Sequence, residues 1–367
     1  MKKVATFLLI LVAASTLFYG CSNKGANYKE DSLELKLLQT ISGKVSSGDS
    51  TKAFSEIEDL EIDSDGDIFL LASRKGKILK FDKNGEFITS FGSLGKEPGQ
   101  FLSLDIVIID DEVYVKSFPN KNIVKFDKNG KYLETFEYAD EGMFKGVIGE
   151  ILRATSDKNI VGYMNHVKEN SKGQLLFRHD LALMNKKFEK LAILRDYEIE
   201  FDPYNVRYFE SVSKYTIGGG KIFVAENSED TYKINVFDLD GNKVKEIVKD
   251  YTKVEYNQYE MDRIKTLNLL ANGKPMSENK SFKKSVNDVF FDKYGRLLVC
   301  SSIKRNETNQ KDFIVDIYKD GIYLNTTKVE KLIGEDFVRR FDSRIYFLGD
   351  KIYEIVNDEA KINIYAY

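Results

Sequence analysis

A short motif recurs along this chain, and its repetition limits the possible folds more than any other feature. Residues 77–85 read KILKFDKNG, residues 122–130 read NIVKFDKNG, and residues 233–241 read KINVFDLDG. Each copy is a β-rich run that enters an Asn-Gly or Asp-Gly turn and precedes another apolar run, which is typical of a β-hairpin. The first two copies start 45 residues apart, so the repeating unit is larger than one hairpin.

A second hairpin precedes the motif in each unit. In the first unit, residues 60–63 and 68–71 are joined by Asp65-Gly66. Weaker copies of the motif bring the number of units to six; they lie at residues 181–185, 314–318 and 362–365. Four antiparallel strands at a period of ~40–50 residues are typical of a β-propeller blade, whose two faces are buried only when blades stack radially. The alternative is a linear array of β-sandwich units.

The two ends of the domain predict how the ring closes. The last unit offers three apolar runs, at residues 344–348, 351–356 and 361–367, while residues 33–38 stand alone at the start. We therefore expect the N-terminal run to become the outer strand of the last blade, which leaves no open edge at the seam. The sequence predicts an all-β, six-bladed β-propeller of four-stranded antiparallel blades over residues 33–367.

One segment departs from the β pattern. Residues 255–271 place apolar side chains at helical spacing, and a polar stretch follows them. This predicts a helical insertion at about residues 255–283, between blades 4 and 5, that serves either as a packing element or as a lid.

Composition excludes several classes of protein. The chain has 55 Lys and Arg against 58 Asp and Glu, a net charge of −3, so a strongly basic nucleic-acid binder is excluded. Its two cysteines and two histidines exclude a disulfide scaffold and leave almost no ligands for zinc. Cys300 lies in an apolar run and is expected in the core.

The N-terminus predicts export and lipidation. Two lysines precede an uncharged, apolar stretch that ends at Gly20, which is typical of a signal peptide over residues 1–20. Residues 17–21, LFYGC, resemble a bacterial lipobox, and this resemblance implies that Cys21 is lipidated. Residues 21–32 then form a polar tether. An uncleaved transmembrane anchor is the alternative, but the apolar run is short for a span of ~20 residues.

Other segments resemble a known repeat. Residues 65–70, 81–85 and 90–101, the last reading SFGSLGKEPGQF, resemble the NHL repeat, and the mature chain resembles bacterial six-bladed β-propeller lipoproteins. The resemblance implies a cell-envelope protein, lipid-anchored to a bacterial membrane, with the outer membrane expected and the domain facing the periplasm or the cell surface. We expect a monomer that contacts the membrane only through its lipid.

Two patterns resemble metal or catalytic motifs. Asp63, Asp65 and Asp67 alternate like the start of a calcium loop, but the later Gly and Glu of an EF-hand are missing. The same turn recurs at Asp292, so we interpret it as structural. His166 and His179 do not rebuild the histidine ring of the NHL-like zinc lyases. We expect no cofactor, with calcium possible because propeller lactonases bind it through carboxylates.

The candidate site is the central channel, where the first strands of all blades converge. The sequence predicts a mixed-charge ring of channel residues, one from each blade: Asp59, Asp105, Arg153, Lys214, Asp288 and Arg339. Such carboxylates are expected to be solvated and to contribute little to the core. The ring suits a carboxylate, a phosphate or an acidic sugar; the alternative is that the channel is polar only because it contains water.

These features predict a binding module whose partner is a small molecule, a glycan or an envelope protein. A calcium-dependent lactonase or lyase is the alternative function.

Overall fold

The computed structural model of the chain describes residues 29–44, 53–72, 75–103, 105–117, 122–137, 147–148, 152–200, 212–262, 265, 282–306, 312–333 and 343–367. Within these ranges the strands form six antiparallel sheets, each of which is one blade. No helix in the described ranges has the length and apolarity of a membrane span.

The blades follow one another along the chain, and each runs from an inner to an outer strand. Blade 1 contains β2 (Asp59–Ile62), β3 (Ile68–Ala72), β4 (Lys77–Phe81) and β5 (Phe87–Phe91). Blade 2 contains β6 (Ile106–Ile109), β7 (Glu112–Ser117), β8 (Asn122–Asp127) and β9 (Tyr132–Glu137). Blade 3 contains β10 (Val147–Ile148), β11 (Arg153–Ala154), β12 (Ile160–Glu169), β13 (Leu175–Met184), β14 (Lys190–Arg195) and β15 (Glu198–Glu200).

The second half of the ring has the same order. Blade 4 contains β16 (Tyr215–Gly218), β17 (Lys221–Ala225), β18 (Tyr232–Phe237) and β19 (Lys243–Lys249). Blade 5 contains β20 (Val286–Phe291), β21 (Arg296–Ser301), β22 (Asp312–Lys319) and β23 (Ile322–Ile333). Blade 6 contains β24 (Ser343–Leu348), β25 (Lys351–Val356), β26 (Lys361–Ala366) and β1 (Lys36–Ser42).

The predicted closure of the ring is confirmed. β1 pairs antiparallel with β26 from Lys36 opposite Ala366 to Ser42 opposite Lys361. Leu33 and Leu35, just before β1, are buried between blades 5 and 6. Both ends of the chain therefore contribute to the last sheet, as the isolated N-terminal run predicted.

Apolar cores lie between adjacent blades. Each of the six clusters of buried side chains joins two neighbouring blades, including a cluster that joins blade 6 to blade 1. Cys300 belongs to the cluster between blades 5 and 6. Each blade therefore buries apolar side chains against both of its neighbours, as the repeat predicted.

Aspartate side chains fix the hairpin turns. The Asp82 carboxylate accepts hydrogen bonds from the backbone N–H groups of Asn84 at 2.9 Å and Glu86 at 2.8 Å. Gly85 has a φ of +78°, which favours glycine. Asp63 and Asp292 accept the corresponding pairs of bonds, so the interpretation of both segments as structural turns is confirmed.

The antiparallel order gives the propeller two distinct ends. The turn face carries the first-to-second and third-to-fourth strand turns, such as residues 63–67 and 82–86. The mouth face carries the second-to-third loops and the connections between blades. β12 and β13 of blade 3 are each ten residues long and project beyond the mouth face as a hairpin that the sequence did not predict.

Candidate functional site: the channel mouth

The predicted channel residues lie on or beside the inner strands. Asp59 begins β2, Asp105 immediately precedes β6, and Arg153 begins β11. Lys214 precedes β16, and Asp288 lies in β20. Five of the six blades therefore contribute the residue that the sequence predicted for them. The sixth, Arg339, and the lipidation candidate Cys21 lie outside the described residues.

The Asp59 carboxylate binds groups from more than one blade. Its Oδ1 accepts a hydrogen bond from the Leu60 N–H at 3.0 Å, and its Oδ2 accepts one from the Ile106 N–H of blade 2 at 3.1 Å. Burial raises the pKa of the Asp59 carboxyl, and nearby Asp105 raises it further, while Arg153 opposes the shift. This carboxylate therefore joins two inner strands and also receives a cation.

Arg153 crosses the channel. From blade 3 its guanidinium lies 3.4 Å from Asp59 and 3.4 Å from Glu61, both in blade 1, and 5.3 Å from the ring centre of Tyr346 in blade 6. Blades 3 and 6 are opposite each other in a ring of six, so the side chain spans the channel. Burial lowers the pKa of this guanidinium, but Asp59 and Glu61 more than offset that effect.

Glu61 lies two residues along β2 from Asp59 and shares its side of the strand. Burial raises the pKa of the Glu61 carboxyl to about 8, although Arg153 opposes the shift. Glu61 was not among the predicted ring residues, although the period of two from Asp59 could have indicated it.

Blade 6 contributes Arg344 and Tyr346. The Arg344 Nη2 lies 3.3 Å from Glu58 Oε2. Tyr346, Asp59 and Glu58 raise the pKa of its guanidinium against the effect of burial. Burial and Asp59 raise the pKa of the Tyr346 hydroxyl. Arg344 is thus a channel cation of blade 6 that was not among the predicted ring residues.

Two further ion pairs link channel residues. Lys214 Nζ lies 4.0 Å from Asp288 Oδ2, which joins blades 4 and 5. Lys116 Nζ lies 3.8 Å from Asp105 Oδ2 within blade 2. Asp288 repeats the local bond of Asp59, because its Oδ1 accepts a hydrogen bond from the Val289 N–H at 3.0 Å.

The expectation that the ring carboxylates are solvated is wrong for two of them. Asp59 and Asp105 are 2% and 4% exposed, because backbone groups and cations of neighbouring strands surround them. Asp288 is different: its side chain is 32% exposed. Asp59 is therefore a structural residue as well as a channel residue.

The described side chains do not fit a calcium site. Among them, no group of three or more His, Cys, Asp or Glu residues is arranged to hold a metal ion. Asp63 and Asp67 lie 3.5 Å and 2.9 Å from the buried ammonium of Lys80, and Arg153 already neutralises Asp59. A calcium ion would have to displace a protein cation at either place.

The predicted insertion contains helix at residues 258–262. Asn257 and Glu260 form reciprocal capping bonds of 2.9 Å, which satisfy the first N–H groups. The buried amine of Lys283 binds Glu260, and the Asn257 side chain donates to the Arg305 carbonyl at 3.3 Å. These contacts hold the helix on the mouth face of blade 5; residues 266–281 lie outside the described residues.

Known families and structures share this architecture. Residues 50–203 match the model of a family described as "6-bladed beta-propeller". The chain is a six-bladed β-propeller. No curated protein matches its sequence.

Several solved structures resemble the whole propeller. A putative exported protein from Bacteroides fragilis is 11% identical, covers 91% of this chain and 95% of its own, and has a TM-score of 0.49. Virginiamycin B lyase from Staphylococcus aureus is 10% identical over 91% of this chain and 99% of its own, with a TM-score of 0.45. A PQQ-bound aldose sugar dehydrogenase from Streptomyces coelicolor is 14% identical over 90% and 97%, with a TM-score of 0.43. At these identities the similarities carry no argument about activity.

Proposed function

We propose that this propeller is a lipid-anchored binding module of the bacterial cell envelope that holds a small anionic ligand at its channel mouth. The ligand class is a carboxylate, a phosphate or an acidic sugar. Arg153 and Arg344 bind it, and the carboxylates of blade 1 hold the two guanidinium groups in place.

The observation that carries the proposal is the convergence of two guanidinium groups on carboxylates of blade 1. Arg153 of blade 3 lies 3.4 Å from both Asp59 and Glu61, and Arg344 of blade 6 lies 3.3 Å from Glu58. Two cations from opposite blades thus lie at the channel mouth. Both side chains are partly exposed, so an anionic ligand in the channel can reach them.

Exposure supports an anion rather than a cation as the ligand. The Arg153 side chain is 25% exposed, whereas that of its partner Asp59 is 3% exposed. The Arg344 side chain is 30% exposed against 22% for Glu58. At these two pairs an incoming ligand meets N–H donors before it meets carboxylates, and guanidinium groups bind planar oxyanions through paired bonds.

Calorimetric titration of the purified chain with galacturonate and with inorganic phosphate tests this function, with neutral galactose as the ligand control. We expect binding of at least one anion, no binding of galactose, and at least a ~10-fold loss of affinity in Arg344→Gln, because a charged hydrogen bond contributes ~1.5–3 kcal/mol. Lys125→Gln is the matched control, since Lys125 pairs with Glu112 and Glu134 outside the channel. Absence of binding by both anions, or equal affinity in Arg344→Gln, would contradict the proposal.

A further inference from the structure

The N-terminal segment is bound to the turn face of blade 5. The Arg296 Nη1 donates hydrogen bonds to the backbone carbonyls of Lys29 at 3.1 Å, Glu30 at 2.9 Å and Ser32 at 2.7 Å. The Asn325 side chain donates to the Asp31 carbonyl at 3.1 Å. Four consecutive residues are thus held against the hairpin turns of one blade.

Arg296 is built into the fold as a clamp for this segment. The residue is 1% exposed, and its Nε donates to the Asp292 carboxylate at 2.7 Å. A buried guanidinium is costly unless its donors are paired, and here backbone carbonyls of the N-terminal segment accept three of its bonds. Leu33 and Leu35 follow directly and are buried in the core. The point at which the tether leaves the domain is therefore fixed near Lys29.

The reach of the tether limits how the domain can face a membrane. Lys29 lies eight positions after Cys21, and a fully extended chain over that interval spans at most ~28 Å. A six-residue strand such as β18 makes the blade ~20 Å thick. If the mouth face lay on the bilayer, the extended tether would use ~20 of its ~28 Å to pass along the side of the propeller. Little length would remain to extend across the mouth face.

We propose that the turn face lies toward the lipid bilayer and that the channel mouth opens away from it. The inference rests on the proposed lipidation of Cys21 and deepens the proposed function. Charge does not set this orientation, because the turn face carries both signs, as in the pair of Lys128 with Asp65. The clamp at Arg296 sets it, and the mouth stays open to ligands from the aqueous side.

Energy transfer to a labelled bilayer tests the orientation in the full-length, lipidated protein. Single cysteines placed by Lys83→Cys on the turn face and by Asp358→Cys on the mouth face are labelled with a donor dye, in vesicles that contain an acceptor-labelled lipid. Both native positions are exposed, and the unsubstituted protein gives the background from Cys300. We expect clearly stronger transfer from position 83 than from position 358; equal transfer, or stronger transfer from position 358, would overturn the inference.

A second comparison tests the clamp itself. Arg296→Met should keep the protein in the membrane but reduce the difference between the two labels, because release of residues 29–32 lengthens the tether to 12 residues and its reach to ~40 Å. Arg305→Met is the matched control, since Arg305 is a buried arginine on the mouth face that donates to the Asp312 carbonyl. An unchanged difference in a folded Arg296→Met protein would show that the clamp does not orient the domain.

The two proposals fail in different ways. A protein that does not enter the membrane fraction overturns the lipid anchor, and the orientation falls with it. A protein that is anchored but shows equal or reversed transfer overturns only the orientation and leaves the anchor intact.

Discussion

At the scale of single residues, Asp59 and Asp288 occupy similar places in their blades, but only Asp59 is expected to stabilise the fold. Both accept a hydrogen bond from the next backbone N–H, but only Asp59 is buried and also bonds to a second blade. We expect Asp59→Asn to lower the free energy of unfolding by ~1–3 kcal/mol, because Arg153 loses a partner and a buried bond is weakened.

Urea denaturation of Asp59→Asn and Asp288→Asn measures that difference. Asp288→Asn should lower the free energy of unfolding by less than ~1 kcal/mol, since the Asp288 carboxylate is partly solvated and lies 4.0 Å from Lys214. If Asp288→Asn proves as destabilising as Asp59→Asn, the structural role assigned to Asp59 is wrong.

Glu61 makes stability depend on pH. Its pKa is raised to about 8 in the folded protein, so the folded state retains a proton that the unfolded state loses above its usual pKa. The contribution of Glu61 is complete at low pH and declines as pH rises from ~4.5 toward 8. Over this pH range the free energy of unfolding of Glu61→Gln should therefore fall by on the order of 1–2 kcal/mol less than that of the unsubstituted protein. Thermal unfolding of Glu61→Gln and of the unsubstituted protein in buffers from about pH 5 to about pH 9 checks this expectation. Parallel plots of stability against pH for the two proteins would refute it.

The proposed membrane location depends on lipidation of Cys21. Cys21→Ser should release the protein from the membrane fraction, because only the thiol accepts the diacylglycerol, while the fold stays unchanged. Recovery of the serine variant wholly in the membrane fraction would eliminate the lipid anchor.

At the scale of elements, β1 closes the ring. A chain that begins at Ser42 lacks this strand and the buried side chains of Leu33 and Leu35. It exposes an edge of β26 and apolar surface on the order of several hundred Å², worth several kcal/mol at ~25 cal/mol/Å².

Calorimetric melting of chains that begin at Lys29, Lys36 and Ser42 tests this contribution in steps. The chain from Lys36 keeps β1 but lacks residues 29–32, which Arg296 binds, and the two leucines. Its melting temperature should therefore be intermediate. Equal melting temperatures for the first and last chains would contradict the pairing of β1 with β26.

The sequence predicted elements well where a local rule applied. The Asp-x-x-Gly turns, the number of blades and the closing strand all follow from periodicity and turn chemistry. The projecting hairpin of β12 and β13 did not, because its extra length breaks the period. Its turn has the same chemistry as the others, since the Asn170 Oδ1 accepts hydrogen bonds from the N–H groups of Lys172 and Gln174. Arg339, the residue predicted for the sixth ring position, lies outside the described residues, and Arg344 of the same blade was not predicted.

At the scale of the whole molecule, the ring brings together residues that are far apart in sequence. Arg153 meets Asp59 across 94 positions, and Arg344 meets Glu58 across 286. The sequence could place each residue on its inner strand, but it could not show which carboxylates are buried or that Arg153 spans the channel. Those properties depend on the packing of all blades around one axis.

Nuclear magnetic resonance of the arginine side chains observes the proposed ligand-binding groups themselves. The Nε–H signals of 15N-arginine-labelled protein are assigned through single substitutions and followed during titration with galacturonate and phosphate. We expect saturable shifts at Arg153 and Arg344 with at least one of these anions, and unchanged signals at Arg296 and Arg305. Saturable shifts confined to arginines outside the channel, or none with either anion, would contradict this expectation.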